Sequence, residues 1–255
     1  MYNPLQLREL FHLEFLRWFG RRAKAGIYAL KGGANLRFFF KSFRYSEDMD
    51  LDVRGIGVAA LKDAVMEIVQ SPSFHDTLRP FGVERVVSPD ILKAKQTETT
   101  QRFKVHLVTF SGEDLFTKVE FSRRGFKGNV IVNPVSDIIL REYKMPPLLV
   151  PHYDVQSAIT QKIGALADRS VVQVRDIFDL YVLSSQCIPE AIKEIGLSEI
   201  KLTRARESAL EVSFGQFRDT ALSYLSPEDR AQYDSSPSWD EIKLKVSDFI
   251  SRIRR

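Results

Sequence analysis

A single cysteine, Cys187, stands in a chain of 255 residues. One thiol excludes an intramolecular disulfide framework and a thiolate-rich zinc site. Its setting, Ser-Ser-Gln-Cys-Ile-Pro, reads as a helix end carrying a small half-buried thiol. Histidine is also scarce: His12, His75, His106 and His152 are scattered, with no His-Glu-x-x-His spacing. No imidazole-based metal site announces itself. No run approaches the roughly eighteen uncharged apolar residues of a membrane-spanning helix. The amino-terminal segment lacks the basic start and apolar run of a signal peptide. These absences predict a soluble protein of a reducing, cytoplasmic compartment, with no membrane partner. A large charge of one sign is missing too. Thirty-seven Lys and Arg against thirty-three Asp and Glu leave +4, with a pI near 9.1, which does not by itself indicate a nucleic-acid partner. Neither an internal repeat nor a low-complexity tract is visible.

What is present is globular. Hydrophobic residues at 44% and charged residues at 27% are ordinary values for a folded domain. The length fits one large domain or two small ones, and suffices to bury a core without disulfide or metal staples. Asn3-Pro4 is a helix start, followed by an apolar stripe from Leu7 to Phe19 at helical spacing. Ile27–Leu30 reads as a buried strand, Lys31-Gly32-Gly33 as a tight turn, and 34–39 as a short helix. Residues 46–53 alternate as a strand, and 58–70 form an amphipathic helix ended by Ser-Pro. From Thr77 to Val132 the pattern is β-rich, with strands at 101–110, 115–121 and 129–132 expected as antiparallel neighbours of the first strands. The Met145–Pro151 run, with its prolines, is the boundary candidate. Beyond it, helices are predicted over 154–169, 173–184, 202–222 and 239–254. The fold class is thus α+β, a mixed sheet with helices over 1–150 followed by a helical bundle over 151–255.

The small net charge hides a local reversal. Arg21, Arg22, Lys24, Lys31, Arg37, Lys41 and Arg44 follow one another with no acidic residue between them, and Glu47, Asp48, Asp50 and Asp52 come directly after. On a strand, period two places Ser46, Asp48, Asp50 and Asp52 on one face and Met49, Leu51 and Val53 on the core side. Same-face carboxylates about 6.5–7 Å apart repel and raise one another's pKa unless a cation intervenes, and Asp is depleted from strands. A hard divalent cation is the natural remedy: magnesium takes one or two carboxylates and completes its shell with water and substrate phosphates. The Gly32-Gly33 turn offers backbone N–H groups at a helix start, a place suited to phosphate. A third carboxylate is expected on a neighbouring strand. Glu120, sharing a face with Phe116 and Lys118, is the candidate, although the same alternation also describes a solvent-facing face of an antiparallel sheet. The aromatics interleaved in the basic run (Phe38, Phe39, Phe40, Phe43, Tyr45) suit base stacking or, for at least half of them, the core.

Tyr28-Ala-Leu-Lys-Gly-Gly-Ala-Asn-Leu-Arg37, followed by Arg44-Tyr-Ser-Glu-Asp-Met-Asp-Leu-Asp52, resembles the AbiEii/AbiGii-type toxin family, which includes the MenT toxins. That family belongs to the DNA polymerase β-like nucleotidyltransferase superfamily, marked by Gly-Gly or Gly-Ser followed by Asp-x-Asp. Gln161–Arg169 and Arg175-Asp-Ile-Phe-Asp-Leu180 are similar to the family's downstream lysine helix and Arg-Asp-x-x-Asp-Leu helix. The resemblance implies a nucleotidyltransferase-like fold over 1–150, with the helical domain completing the nucleotide site. It implies that Lys31, Gly32, Gly33 and Ser46 bind phosphate, that Asp48 and Asp50 hold magnesium or manganese, that Lys162 contacts the nucleotide phosphates, and that Asp176 acts at the nucleotide site or as a base; its motifs do not fix the third carboxylate, for which Glu120 stands as the candidate of the strand alternation. Lys162 on a helix also suits a snorkelling surface lysine, and Arg175 and Asp176 also suit pairing with neighbouring helices. Met49 departs from the aliphatic residue usual at its position.

The activity so implied is that of a toxin of a type IV toxin–antitoxin system acting in phage defence. It would be a magnesium-dependent enzyme adding nucleotides from NTP to RNA, at the 3′ end of tRNA, and so blocking translation, with a cognate antitoxin as partner. The alternatives are transfer to a protein or small molecule, and a non-catalytic nucleotide-binding toxin.

Overall fold

The structure is a computed structural model that describes residues 2–23, 26–187 and 196–253. Lys24 of the basic run, Ile188 and Pro189 after Cys187, and the terminal Arg254 and Arg255 lie outside the described residues. The chain divides into two compact units: Met1–Phe39 with Tyr45–Tyr153, and Phe40–Arg44 with Asp154–Arg255.

The first unit is built on a mixed sheet. Its strands are β1 (Tyr28–Lys31), β2 (Met49–Val53), β3 (Val83–Val87), β4 (Thr100–Thr109), β5 (Asp114–Ser122), β6 (Val130–Pro134) and β7 (Leu149–Tyr153), in the order β3-β4-β5-β2-β1-β7-β6. Its helices are α1 (Pro4–Arg22), α2 (Gly32–Phe39), α3 (Val58–Val69), α4 (Pro72–Leu78) and α5 (Asp137–Glu142). α1 opens with a reciprocal capping box, Asn3 Oδ1 accepting from Gln6 N at 3.0 Å and Gln6 Oε1 from Asn3 N at 2.8 Å. Its Leu10, Phe11, Leu13, Phe15, Leu16 and Phe19 are fully buried, each such side chain contributing about 1.5–3 kcal/mol. Phe19 reaches Tyr28 of β1 and Phe121 of β5 at ring distances of 5.1 and 5.4 Å. The helix is therefore pinned to the central strands. Its buried Glu9 is paired, taking Arg37 Nε at 2.6 Å and the Tyr143 hydroxyl at 2.8 Å.

Several local expectations are corrected. Gly32 and Gly33 are not a turn ahead of a helix; they are the first turn of α2 itself. β2 begins at Met49, so Ser46 and Asp48 precede the strand instead of extending its face. The helix over 58–70 does end ahead of Ser71-Pro72, α3 stopping at Val69, but Pro72 then opens a further helix, α4, because proline's fixed φ and missing N–H suit the first helical position. β5 runs parallel to β2, not antiparallel. β4 is antiparallel to β5, and neither it nor β6 pairs with the first strands, β6 lying on β7 instead.

The second unit is helical: α6 (Val155–Asp168), α7 (Val174–Ser184), α8 (Glu199–Glu211), α9 (Phe214–Thr220), α10 (Pro227–Tyr233) and α11 (Ser236–Ser251). The single helix expected over 202–222 is two, because Ser213 forms a capping box with Gln216 and starts a new one. Trp239 is fully buried, stacks on Phe217 at 4.2 Å and donates Nε1–H to the Val212 carbonyl at 2.9 Å. Cys187 lies half-buried just past α7. Among the described residues no helix is long and apolar enough to cross a membrane.

Candidate active site

Four neighbouring strands set four charged side chains in one row. Lys31 of β1 is opposite Asp50 of β2, Asp50 is opposite Glu120 of β5, and Glu120 is opposite Arg102 of β4. Two carboxylates on adjacent strands thus lie between two cations. Arg102 Nε donates to Glu120 Oε2 at 2.7 Å. One step back from the row, Lys118 Nζ pairs with Asp48 Oδ2 at 2.9 Å and lies 3.9 Å from Glu120 Oε2. One step forward, Asp52 is buried; its Oδ1 accepts from Lys31 Nζ at 2.5 Å and its Oδ2 from the Tyr153 hydroxyl at 2.6 Å. The aspartates of the motif therefore differ in solvation: Asp48 and Asp50 are half-buried and Asp52 is inside. The opposite face of β2, Met49, Leu51 and Val53, is in the core as its alternation predicts.

The segment entering β2 is held in place by a buried relay. The Thr117 hydroxyl donates to the Glu47 carbonyl at 2.7 Å, so its oxygen is left to accept from His12 Nε2–H at 2.8 Å. That assigns His12 the Nε2–H tautomer. Burial pushes its pKa down to about 3, with the Arg8 charge adding to the effect. Ser46 Oγ donates to the Asp48 carbonyl at 2.7 Å, so this hydroxyl shapes the approach to the strand. Gly32 meets two demands at once. Its φ is +69°, and a Cβ there would stand 2.9 Å from Asp50 Oδ2. Only glycine combines that backbone with that approach, which brings the start of α2 against the Asp50 carboxylate.

Asp50 is held above the ordinary carboxylate range, first by desolvation and then by Glu120 and Asp48, against the opposing pull of Lys31 and Lys118. Like charges around a desolvated carboxylate make a cation welcome there. Among the described residues no three Asp, Glu, His or Cys side chains converge as a self-sufficient metal cage. The donor set nonetheless fits magnesium or manganese, which bind through one or two carboxylates and take the remaining oxygens from water and substrate phosphate. Asp48 and Asp50 are the residues that could hold such an ion. Glu120 adjoins them in register but is engaged by Arg102.

Lys162 and Asp176 lie in the helical unit, where they join a buried ionic cluster. Lys162 Nζ donates to Asp176 Oδ1 at 2.7 Å and to Asp179 Oδ2 at 2.6 Å. Arg44 forks onto Asp179 at 2.9–3.0 Å, and Arg169 pairs with Asp176. Burial would lower the Lys162 pKa, but the two carboxylates outweigh it and hold the amine above its usual range. Burial would raise that of Asp179, yet Arg44 and Lys162 hold it below. These two helices, α6 and α7, are joined by charge as well as by apolar contact.

The model of one protein family, described as "Nucleotidyl transferase AbiEii toxin, Type IV TA system", matches residues 15–245. The chain belongs to the AbiEii toxin family. It is accordingly a nucleotidyltransferase toxin of toxin–antitoxin type, and family membership implies an NTP substrate and an antitoxin partner. No curated protein matches its sequence. Solved structures agree with the AbiEii fold. MenT4, a nucleotidyltransferase toxin from Mycobacterium tuberculosis H37Rv, aligns with a TM-score of 0.61 at 15% identity, over 97% of this chain and 84% of its own. JHP933 from Helicobacter pylori aligns with a TM-score of 0.52 at 19% identity, over 96% of this chain and 91% of its own.

Against this AbiEii-family frame, sequence reasoning missed Lys118, Arg102, Tyr153 and the buried role of Asp52. The signal for Lys118 was present, since it shares the Glu120 face; the others depend on strand order. The basic run proves less of a surface than its composition suggested. Lys31, Arg37 and Arg44 are neutralised by Asp52, Glu9 and Asp179. Its aromatics pack on protein: Phe38 and Tyr45 are buried, Phe39 stacks on His152 at 3.5 Å, and Phe43 on Tyr233 at 5.3 Å.

Proposed function

We propose that this toxin transfers nucleotides from NTP to RNA, at the 3′ end of tRNA, in a magnesium-dependent reaction that blocks translation in the cytoplasm. It would act in phage defence under the restraint of a cognate antitoxin. The observation that carries the reading is the register match of Asp50 with Glu120, with the glycine-opened start of α2 against Asp50. Magnesium or manganese, when bound, supplies Lewis-acid stabilisation of the triphosphate as an acceptor hydroxyl displaces pyrophosphate from the α-phosphorus. Asp48 and Asp50 hold the ion, with Glu120 as the adjoining third carboxylate. The N–H groups of Gly32 and Gly33 at the α2 start orient phosphate oxygens, helped by Lys31 and Ser46. Lys162 and Asp176 serve the nucleotide, and for Lys162 this requires a phosphate oxygen to replace one of its carboxylate partners.

The test is to incubate the protein with each labelled nucleoside triphosphate, magnesium and total RNA, beside Asp50→Ala. Label on tRNA that vanishes in the variant is expected. Absence of label on RNA with all four nucleotides removes the RNA reading, and equal labelling by Asp50→Ala removes the site assignment.

A further inference from the structure

The candidate ion site already contains a cation of its own. Around Asp48, Asp50, Asp52 and Glu120 stand Lys31, Lys118 and Arg102, so the group carries a formal charge of −1, one positive charge short of neutral. The three cations are not equivalent. Lys31 is committed to the buried Asp52 and Arg102 to Glu120 alone. Lys118 touches two of the proposed ion-holding carboxylates, Asp48 at 2.9 Å and Glu120 at 3.9 Å. It is 27% exposed, each partner 24%, so its amine can leave into solvent without crossing the core. On β4 its register partner is another lysine, Lys104, which lowers the cost of leaving further.

We propose that Lys118 is an internal stand-in for the divalent cation. Without the ion it neutralises Asp48 and Glu120 and holds them near one another. An arriving divalent ion takes over the Asp48 oxygen, since two cations around one carboxylate repel, and the displaced amine swings to the open sheet face. There it is free to meet an anionic group such as a phosphate. Binding of the ion is thus an exchange, weaker than the carboxylates alone would make it. The inference rests on Asp48 and Asp50 being the ion-holding pair.

The test is to titrate manganese alone into the full chain, following free ion by electron paramagnetic resonance and thermal melting in parallel, for wild type, Lys118→Met, Lys118→Arg and Asp50→Asn. Lys118→Met is expected to bind manganese about tenfold more tightly, from removal of one competing unit charge a few ångströms away. It melts lower than wild type without the ion and regains more on adding it. Lys118→Arg retains wild-type affinity. Equal or weaker binding by a folded Lys118→Met overturns the inference, and so does the absence of binding by both proteins at millimolar manganese. Should Lys118→Met not fold without the ion, Lys118→Gln replaces it under the same criterion. Loss of binding in Asp50→Asn with no gain in Lys118→Met leaves the site reading standing and the exchange refuted. Unaltered binding in Asp50→Asn refutes the reading itself.

Discussion

The molecule contains two clusters of Asp, Glu, Lys and Arg that look alike in composition and differ in solvation. In the helical unit, Asp179 is wholly buried and Arg44 nearly so, and each carboxylate has at least two cationic partners. In the sheet unit, Asp48, Asp50 and Glu120 are half-buried, and Asp50 faces another carboxylate across the ladder. The pKa shifts register the contrast: Asp179 is held down and Asp50 is held up. A buried cluster must satisfy its charges internally or not fold. A half-buried one can retain mutual repulsion that a ligand later relieves. Charge count alone does not separate a cluster that compensates its own charges from one that keeps repulsion for a ligand to relieve; the sign of the unrelieved interaction does.

The comparison is broken most sharply by deleting one carboxylate from each cluster. Asp50→Ala is expected to lower nucleotidyl transfer by about three orders of magnitude or more, as for removal of a transition-state ion ligand, with an unchanged or higher melting temperature. Initial transfer rates and thermal melts on one preparation check both halves. Asp179→Ala should act first on stability. It leaves Arg44 and Lys162 buried without their shared partner, at about 3–5 kcal/mol, read from urea unfolding of the helical unit. Should Asp179→Ala unfold no more readily than wild type, the cluster is not what holds α6 to α7.

Acid separates the units by a smaller effect. His12 in the sheet unit has a folded pKa of about 3 against an ordinary 6.5. The unfolded chain therefore binds the proton first, and stability is lost as pH falls from about 6.5 toward 3. Asp179 is depressed instead, so its contribution stays intact down to the ordinary carboxylate value and is lost only below it. Melts between pH 7 and 4 should show the sheet unit weakening first, and His12→Gln should flatten that slope. A slope unchanged in His12→Gln assigns the acid sensitivity elsewhere. The mildest change is Gly32→Ala, which strains φ +69° and crowds Asp50. About 1–3 kcal/mol of stability and a drop in transfer rate are expected, measured by melting and by labelling. A variant as active and stable as wild type would mean that the α2 start need not approach Asp50 so closely.

Local chemistry was legible where a short period or a single residue type dictates it. The alternation of Met49, Leu51 and Val53 identified the core face of β2, and the glycine pair marked a helix start beside it. Glu120 was reachable by the same period-two reasoning. The break at Ser213 and the new helix opened by Pro72 went unread because a lone serine or proline suits a loop as well as a helix start, and only the Gln216 partner three residues on, or the packing beyond, marks the start. The expected antiparallel pairing of β5 with β2 failed for a different reason: neighbours in a sheet are chosen by connections and packing far apart in sequence, and alternation reads the same in either direction.

The sequence by itself determined which residues carry charge, which face of each strand is apolar, and that the chain bears the glycine and aspartate signature of its family. Only the tertiary structure decided which charges meet. Strand order placed Asp50 between Lys31 and Glu120, sent Asp52 inward to Lys31 and Tyr153, and set Lys118 against Asp48. The physical reason is that a pKa or an ion affinity depends on distances and desolvation between groups tens of residues apart, and those are set by packing and register, not by spacing along the chain.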